Sequence, residues 1–122
     1  MIKVLHIEDD PDIREIAEMA LGLTGEFEIL QAESGEVALT AVQGYQPDVI
    51  LIDMMMPGLT GTETLQRIRQ MDHLKDVPAI FMTARAQVSE LEELRQHGAA
   101  DIISKPFDPM GLADQIKAVL GA

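Results

Sequence analysis

Four polar positions each follow a run of apolar residues. They are the acids Glu8, Asp9 and Asp10 after KVLHI, Asp53 after VILI, Thr83 after AIFM and Lys105 after DIIS. In a parallel sheet the carboxyl ends of neighbouring strands share one edge, where ligands bind. There these residues would bring together several carboxylates, one hydroxyl and one ammonium. Such a set suits a divalent cation and a phosphoryl group.

The carboxylates define the cation. Two like charges ~4 Å apart repel by roughly 4 kcal/mol at an effective dielectric of 20. Clustering Glu8, Asp9 and Asp53 is therefore costly without a counter-ion. Mg2+ fits best, because it is hard, prefers oxygen and takes one or two carboxylates while keeping waters. Asp10 stands apart from this cluster, because Pro11 behind it makes it a good helix N-cap. Asp53 is also a candidate nucleophile, since a carboxylate can attack phosphorus to give an aspartyl-phosphate. The segment MMMPGLTG after it turns through Pro57 and Gly58 and offers backbone carbonyls, Met55 foremost, to a metal. Lys105 can pair with phosphoryl oxygen, or with Asp53 before reaction, and the Thr83 hydroxyl can donate to the same oxygens. Pro106 fixes the loop after Lys105, and an X-Pro bond is the common place for a cis peptide.

The elements that must position these residues are legible as five short apolar runs: 2–7, 27–31, 48–53, 78–83 and 100–104. They are largely continuous and β-branched, as strands covered on both faces are. Five helical patterns alternate with them. The first has Asp10 as N-cap, a stripe of Ile13, Ile16, Ala17 and Ala20, and Gly22 or Gly25 as its stop. The second starts at Ser34 and buries Val37, Ala38 and Ala41. The third opens on Thr60 with Glu63 three residues on, a capping box, and buries Leu65 and Ile68. The fourth carries Val88, Leu91 and Leu94 and stops at Gly98. The fifth starts at Asp108 and Pro109 and carries Leu112, Ile116, Val119 and Leu120. Strict alternation implies right-handed crossovers and an α/β fold: a doubly wound five-stranded parallel sheet of order 2-1-3-4-5.

Bulk properties narrow the function. A chain of 122 residues is expected to be one domain, 1–122. Its net charge of −12 argues against direct nucleic-acid binding, because phosphate backbones repel such a surface. It has no cysteine, hence no disulfide or thiol chemistry, which fits a cytoplasmic protein. No apolar run approaches the ~20 residues of a membrane span, and the start reads as a strand rather than a signal peptide. His6 reads as a core residue, and His73 and His97 as solvated. Met54 to Met56 read as core and rim, and Glu90, Glu92 and Glu93 as a solvated helix face.

In order and spacing, HIEDDP, DMMMPGLTG, MTA, GAAD and KPF together resemble the response-regulator receiver domains of two-component signalling. The resemblance is chemotaxis-receiver-like and covers essentially the whole chain. It implies a flavodoxin-like (βα)5 fold, Asp53 as phosphoacceptor, and Asp9 as direct Mg2+ ligand. Glu8 would act through water and Met55 through its carbonyl. Thr83 would be the switch hydroxyl and Lys105 the phosphate-binding lysine. It further implies a histidine kinase or phosphotransfer protein as donor, and a downstream protein target on helix four, strand five and helix five. The expected state is a monomer, with weak dimerisation on phosphorylation, either as a stand-alone receiver or as part of a larger protein. One departure is Ile102, where receivers commonly carry Tyr or Phe. Met55 and Arg85 are expected to flank the path of a water attacking the phosphoryl group. Two other classes fit less well. A haloacid-dehalogenase-like phosphatase needs a second Asp where Met55 stands, and a flavodoxin-like flavin carrier needs a neutral phosphate loop where Glu8, Asp9 and Asp10 stand.

Overall fold

In a computed structural model the described residues form five strands and five helices in strict alternation. They are β1 (Ile2–Ile7), α1 (Pro11–Gly22), β2 (Phe27–Ala32), α2 (Gly35–Ala41), β3 (Val49–Asp53), α3 (Gly61–Ile68), β4 (Ala79–Thr83), α4 (Val88–Gln96), β5 (Ala99–Ser104) and α5 (Leu112–Leu120). The structure describes residues 1–84 and 88–121, with the side chains of 88–91 left aside. Arg85, and the side chains of Val88, Glu90 and Leu91, therefore lie outside the described residues. All strand pairs are parallel and the order is β2-β1-β3-β4-β5, as the alternation predicts.

The pleat sorts the strands into two core layers. Leu5, Ile7, Ile50, Ile52 and Phe81 pack with Ala38, Leu65, Ile68 and Leu94, against α2, α3 and α4. Val4, Leu51, Ile80, Met82 and Ile103 pack with Ala17, Leu21, Leu112 and Ile116, against α1 and α5. Alternate residues serve opposite faces, so strands buried on both sides read as continuous apolar runs. The same alternation, carried to the strand ends, puts His6, Glu8, Asp53 and Lys105 on the α1/α5 side. Thr83 falls with Phe81 on the other side.

The caps follow local chemistry. Asp10 has extended backbone and accepts from the Asp12 N–H, ahead of Pro11. Ser34 caps α2 through the Val37 N–H. Thr60 and Glu63 form the reciprocal capping box at the start of α3.

Three expectations are corrected. Ile16 and Val37 are exposed, at 43% and 42%; the buried face of α1 is Ala17 and Leu21, and that of α2 is Gly35 and Ala38. A helix lying across a twisted sheet buries a narrow stripe, and these two side chains fall on its flanks. The fifth helix starts at Leu112 rather than Asp108. Asp108 instead closes a turn: its Oδ1 accepts from the Met110 N–H at 3.0 Å and its carbonyl from the Gly111 N–H at 3.0 Å. His73 is exposed as expected, but its Nε2 is also 2.9 Å from the Val42 carbonyl, so that nitrogen carries the proton.

Candidate functional site

Glu8 is the first residue past β1, and its N–H still bonds the Ala32 carbonyl at 3.0 Å. Asp53 is the last residue of β3. Lys105 follows β5, held by its N–H on the Thr83 carbonyl at 2.8 Å, and its peptide to Pro106 is cis. These backbone ties aim three charged side chains at one point. The Lys105 ammonium donates to Glu8 Oε1 at 2.6 Å and lies 3.0 Å from Asp53 Oδ1. Lys105 meets Asp53, as the sequence predicts, and lies closer still to Glu8.

Glu8 is fully buried and Asp53 nearly so, whereas Asp9 is exposed. One carboxylate oxygen from each of Glu8, Asp9 and Asp53 lies within 4.8 Å of the others. The donors are all carboxylate oxygens, which is the set a hard divalent cation such as Mg2+ takes. The Met55 N–H reaches Asp53 Oδ1 at 3.4 Å, which fixes the turn that carries the Met55 carbonyl.

The electrostatics show crowding. Burial is the largest influence on the Glu8 carboxyl and pushes it up; Lys105 pulls it down, the Asp53 carboxylate pushes it up again, and the result is about 7. Burial alone would lower Lys105, but its hydrogen bonds to Glu8 and Asp53 outweigh that and hold it above its ordinary value. One ammonium is thus shared by two acids, and a second cation would relieve the excess charge. His6 is buried and kept neutral: burial first, then Lys105 and Arg14, lower it to about 4.

Thr83 is buried at the end of β4 and borders a cavity of about 210 Å3. Among the described residues Met54, Met55, Thr62, Glu93, Leu94 and His97 also line it. Ile102, in β5, packs half-buried against the core layer under α4. Met54 and Met56 serve as rim and core, and Met55 is 61% exposed. The structure thus brings Glu8, Asp9, Asp53 and Lys105 together, with Thr83 at the end of the adjoining strand β4 and in the wall of the cavity.

Two supporting residues were not legible in the sequence. A Cβ on Gly61 would run into the Asp53 carbonyl oxygen and come 2.9 Å from Met54 Cα, so α3 can approach the end of β3 only without a side chain there. The sole signal was a glycine inside a capping box. Arg14 donates to the Glu8 carbonyl at 2.7 Å; the signal was a single cation among the acids of the first helix.

Beside the site, Ile16, Met19, Ala20, Leu23, Pro109 and Met110 line a shallow apolar depression on α1 and the β5–α5 loop. It adjoins a second depression bordered by Ile13, Lys105 and Phe107. Among the described residues no helix is long and apolar enough to cross a membrane.

Comparison with known proteins agrees with this architecture. A chemotaxis response regulator of Vibrio cholerae, CheY4, superimposes with a TM-score of 0.91 at 31% identity, covering 98% of each chain. The phosphate regulon transcriptional regulatory protein PhoB of Pseudomonas aeruginosa is 36% identical over 117 residues, covering 96% of this chain and 51% of that protein. The probable transcriptional regulator ycf27 of Guillardia theta is 40% identical over 118 residues, covering 97% of this chain and 45% of that one. The chain therefore spans about half the length of the curated relatives it matches. Residues 4–117 match the response regulator receiver domain family, and the chain belongs to it.

Proposed function

We propose that the chain is a cytoplasmic phosphoacceptor switch, one receiver unit over residues 1–122. It takes a phosphoryl group on Asp53 from a phosphohistidine of a histidine kinase or phosphotransfer protein. An Asp53 carboxylate oxygen attacks phosphorus, the new P–O bond forms, the P–N bond breaks, and the imidazole leaves and takes up a proton. The observation that carries this reading is the Lys105 ammonium shared between Glu8 and Asp53 at 2.6 and 3.0 Å, beside the exposed Asp9.

Mg2+ held by Glu8, Asp9, Asp53 and the Met55 carbonyl would offset the charge of the incoming group. Lys105 turns from the acids to the phosphoryl oxygens, and the Thr83 hydroxyl donates to the same oxygens. The apolar depression on α1 and the β5–α5 loop lies against Lys105 and suits the docking of the donor protein. Catalysis by the chain itself is limited to taking phosphate from small donors and losing it to water.

The readout is a change in protein binding on α4, β5 and α5. A switch from 1:99 to 99:1 needs about 5.5 kcal/mol of differential stabilisation. Two charge-assisted hydrogen bonds, from Thr83 and Lys105, contribute roughly 1.5–3 kcal/mol each. With Ile102 instead of a ring, the shift is graded, and the target binds appreciably before phosphorylation.

The test is incubation of the chain with a small phosphodonor, with and without Mg2+, followed by intact mass. The parent gains one acid-labile phosphoryl group only with the cation, and Asp53→Asn gains none while keeping its fold. An Asn variant that labels like the parent removes Asp53 from this role. Continuous phosphate release without a stable adduct points to a phosphatase instead.

A further inference from the structure

We infer that Arg14 is a positioning residue for the acid loop, acting through the Glu8 carbonyl. The inference rests on the phosphoacceptor reading above, since the loop it orients carries the proposed Mg2+ ligands.

β1 stops pairing with β3 at Ile7, so the Glu8 carbonyl has left the ladder. Arg14 takes it up at 2.7 Å from the first turns of α1. That turn is itself fixed, because the Arg14 N–H bonds the Asp10 carbonyl at 3.1 Å. Gln31 in β2 completes the bracket. Its Nε2 donates to the Arg14 carbonyl at 2.8 Å and lies 3.2 Å from His6 Nδ1, so both of its hydrogens are engaged. His6 Nδ1 is then the acceptor, and its proton sits on Nε2.

β2 and α1 thus hold the two backbone groups of one residue. The Glu8 N–H is held by Ala32 of β2, and the Glu8 carbonyl by Arg14 of α1. With both ends of the residue tied, its Cα–Cβ bond has a set direction, and from there the side chain reaches Lys105. Glu8 Oε2 in turn accepts from the Asp10 N–H at 3.3 Å, which sets the backbone next to Asp9. A guanidinium spent on a backbone carbonyl, rather than on one of the many nearby acids, serves geometry more than charge.

The two roles differ in sign. If Arg14 mattered only as a charge, removing it would tighten the binding of a dication a few residues away. If it mattered only for folding, any comparable lesion in α1 would act like it. As a positioning residue its loss weakens the cation site, as the loss of a supporting contact behind a metal ligand commonly does.

The experiment is Mg2+ titration of the whole chain, followed by backbone amide shifts, together with amide hydrogen exchange at Asp10 in the metal-free protein. The set is the parent, Arg14→Gln, Arg14→Lys and the control Ala17→Gly, which loosens α1 without touching Glu8. Arg14→Gln is expected to bind Mg2+ about tenfold more weakly and to exchange faster at Asp10. Arg14→Lys, whose ammonium keeps the reach and charge that the shorter Gln amide lacks, recovers part of both, and Ala17→Gly lowers the thermal midpoint while leaving both near the parent. Unchanged or tighter Mg2+ binding by Arg14→Gln, or an equal loss in Ala17→Gly, overturns the inference. Absence of Mg2+ binding by the parent overturns the phosphoacceptor reading instead, and the Asp10 exchange then decides on Arg14 by itself.

Discussion

The half of the sheet edge that faces α1 and α5 is filled with charge in direct contact. The half that faces α3 and α4 holds open space. On the first side Lys105 bridges Glu8 and Asp53, and both acids are buried. On the second, Thr83 borders a cavity of about 210 Å3. The pleat separates them: successive residues of one strand serve opposite faces, so adjacent strand ends meet different neighbours. The proposed function would make two demands of such an edge. Group transfer needs atoms held in place, because reach and orientation supply much of the rate. A readout needs a side chain with two arrangements, and a close-packed core offers none.

The charged half is the easier one to break. Gly61→Ala puts a methyl group against the Asp53 carbonyl and Met54 Cα, and Gly61 N–H also bonds the Met54 carbonyl at 3.0 Å. Overpacking of this kind costs about 1–3 kcal/mol. A displacement of the acceptor by ~1 Å costs on the order of a hundredfold in transfer rate. Labelling with a small phosphodonor, timed by intact mass and paired with urea unfolding, measures both. Stability lost with an unchanged rate would mean that Asp53 is positioned without help from Gly61.

Much of the charged half was legible. Glu8, Asp9, Asp53 and Lys105 stand where apolar runs stop, and parallel strands order their ends. What was not legible lies in partners that leave no trace in a pattern. Lys105 and Glu8 are far apart in the chain, and only the folded edge shows that the ammonium sits nearer Glu8 than Asp53. Arg14 serves a carbonyl, which every residue has, so no side-chain pairing announces it. Asp108 and Pro109 look like a helix start, but the Asp108 side chain is used on Met110 within a turn, and the helix waits for Leu112.

The pH response sharpens the comparison further, because two buried groups of the charged half oppose each other. The Glu8 carboxyl is raised from 4.5 to about 7 in the fold. Its contribution is fully present below 4.5 and is lost as pH rises through about 7. The His6 imidazole is lowered from 6.5 to about 4, so its contribution is present above 6.5 and is lost as pH falls toward 4. Between these limits the two slopes cancel, and the metal-free protein should be nearly flat. Glu8→Gln leaves only the histidine slope, so stability then rises with pH by up to about 1.4 kcal/mol per unit. Urea unfolding between pH 4.5 and 6.5 reads this directly. A variant as flat as the parent would show that Glu8 titrates at its ordinary value.

Thr83→Val tests the open half. The change keeps shape and removes the hydroxyl, so Asp53 should still be phosphorylated while the response weakens. One charge-assisted hydrogen bond, roughly 1.5–3 kcal/mol, is about a tenfold change or more in the balance of two states. Amide shifts of α4, β5 and α5 before and after phosphorylation measure that balance. Shifts confined to α1 and α2 would move the readout off α4, β5 and α5, and shifts as large as the parent's would leave Thr83 without a part in it.

The smallest effect is expected where the two halves meet, at Met55. It follows Asp53 by two residues, is 61% exposed, and forms part of the cavity wall beside Thr83. A water attacking an aspartyl-phosphate from the open half would pass this side chain. A thioether is only a weak acceptor and cannot hold that water in line. Met55→Asn supplies both a donor and an acceptor at the same place, but no group basic enough to take the proton. It should therefore shorten the lifetime of the phosphorylated chain by about tenfold or less, well short of the 100-fold or more of a full general base. The decay of the phosphoryl mass after removal of the donor gives the lifetime. A longer lifetime in the Asn variant would mean that water reaches phosphorus from the charged half, and that the cavity serves Thr83 alone.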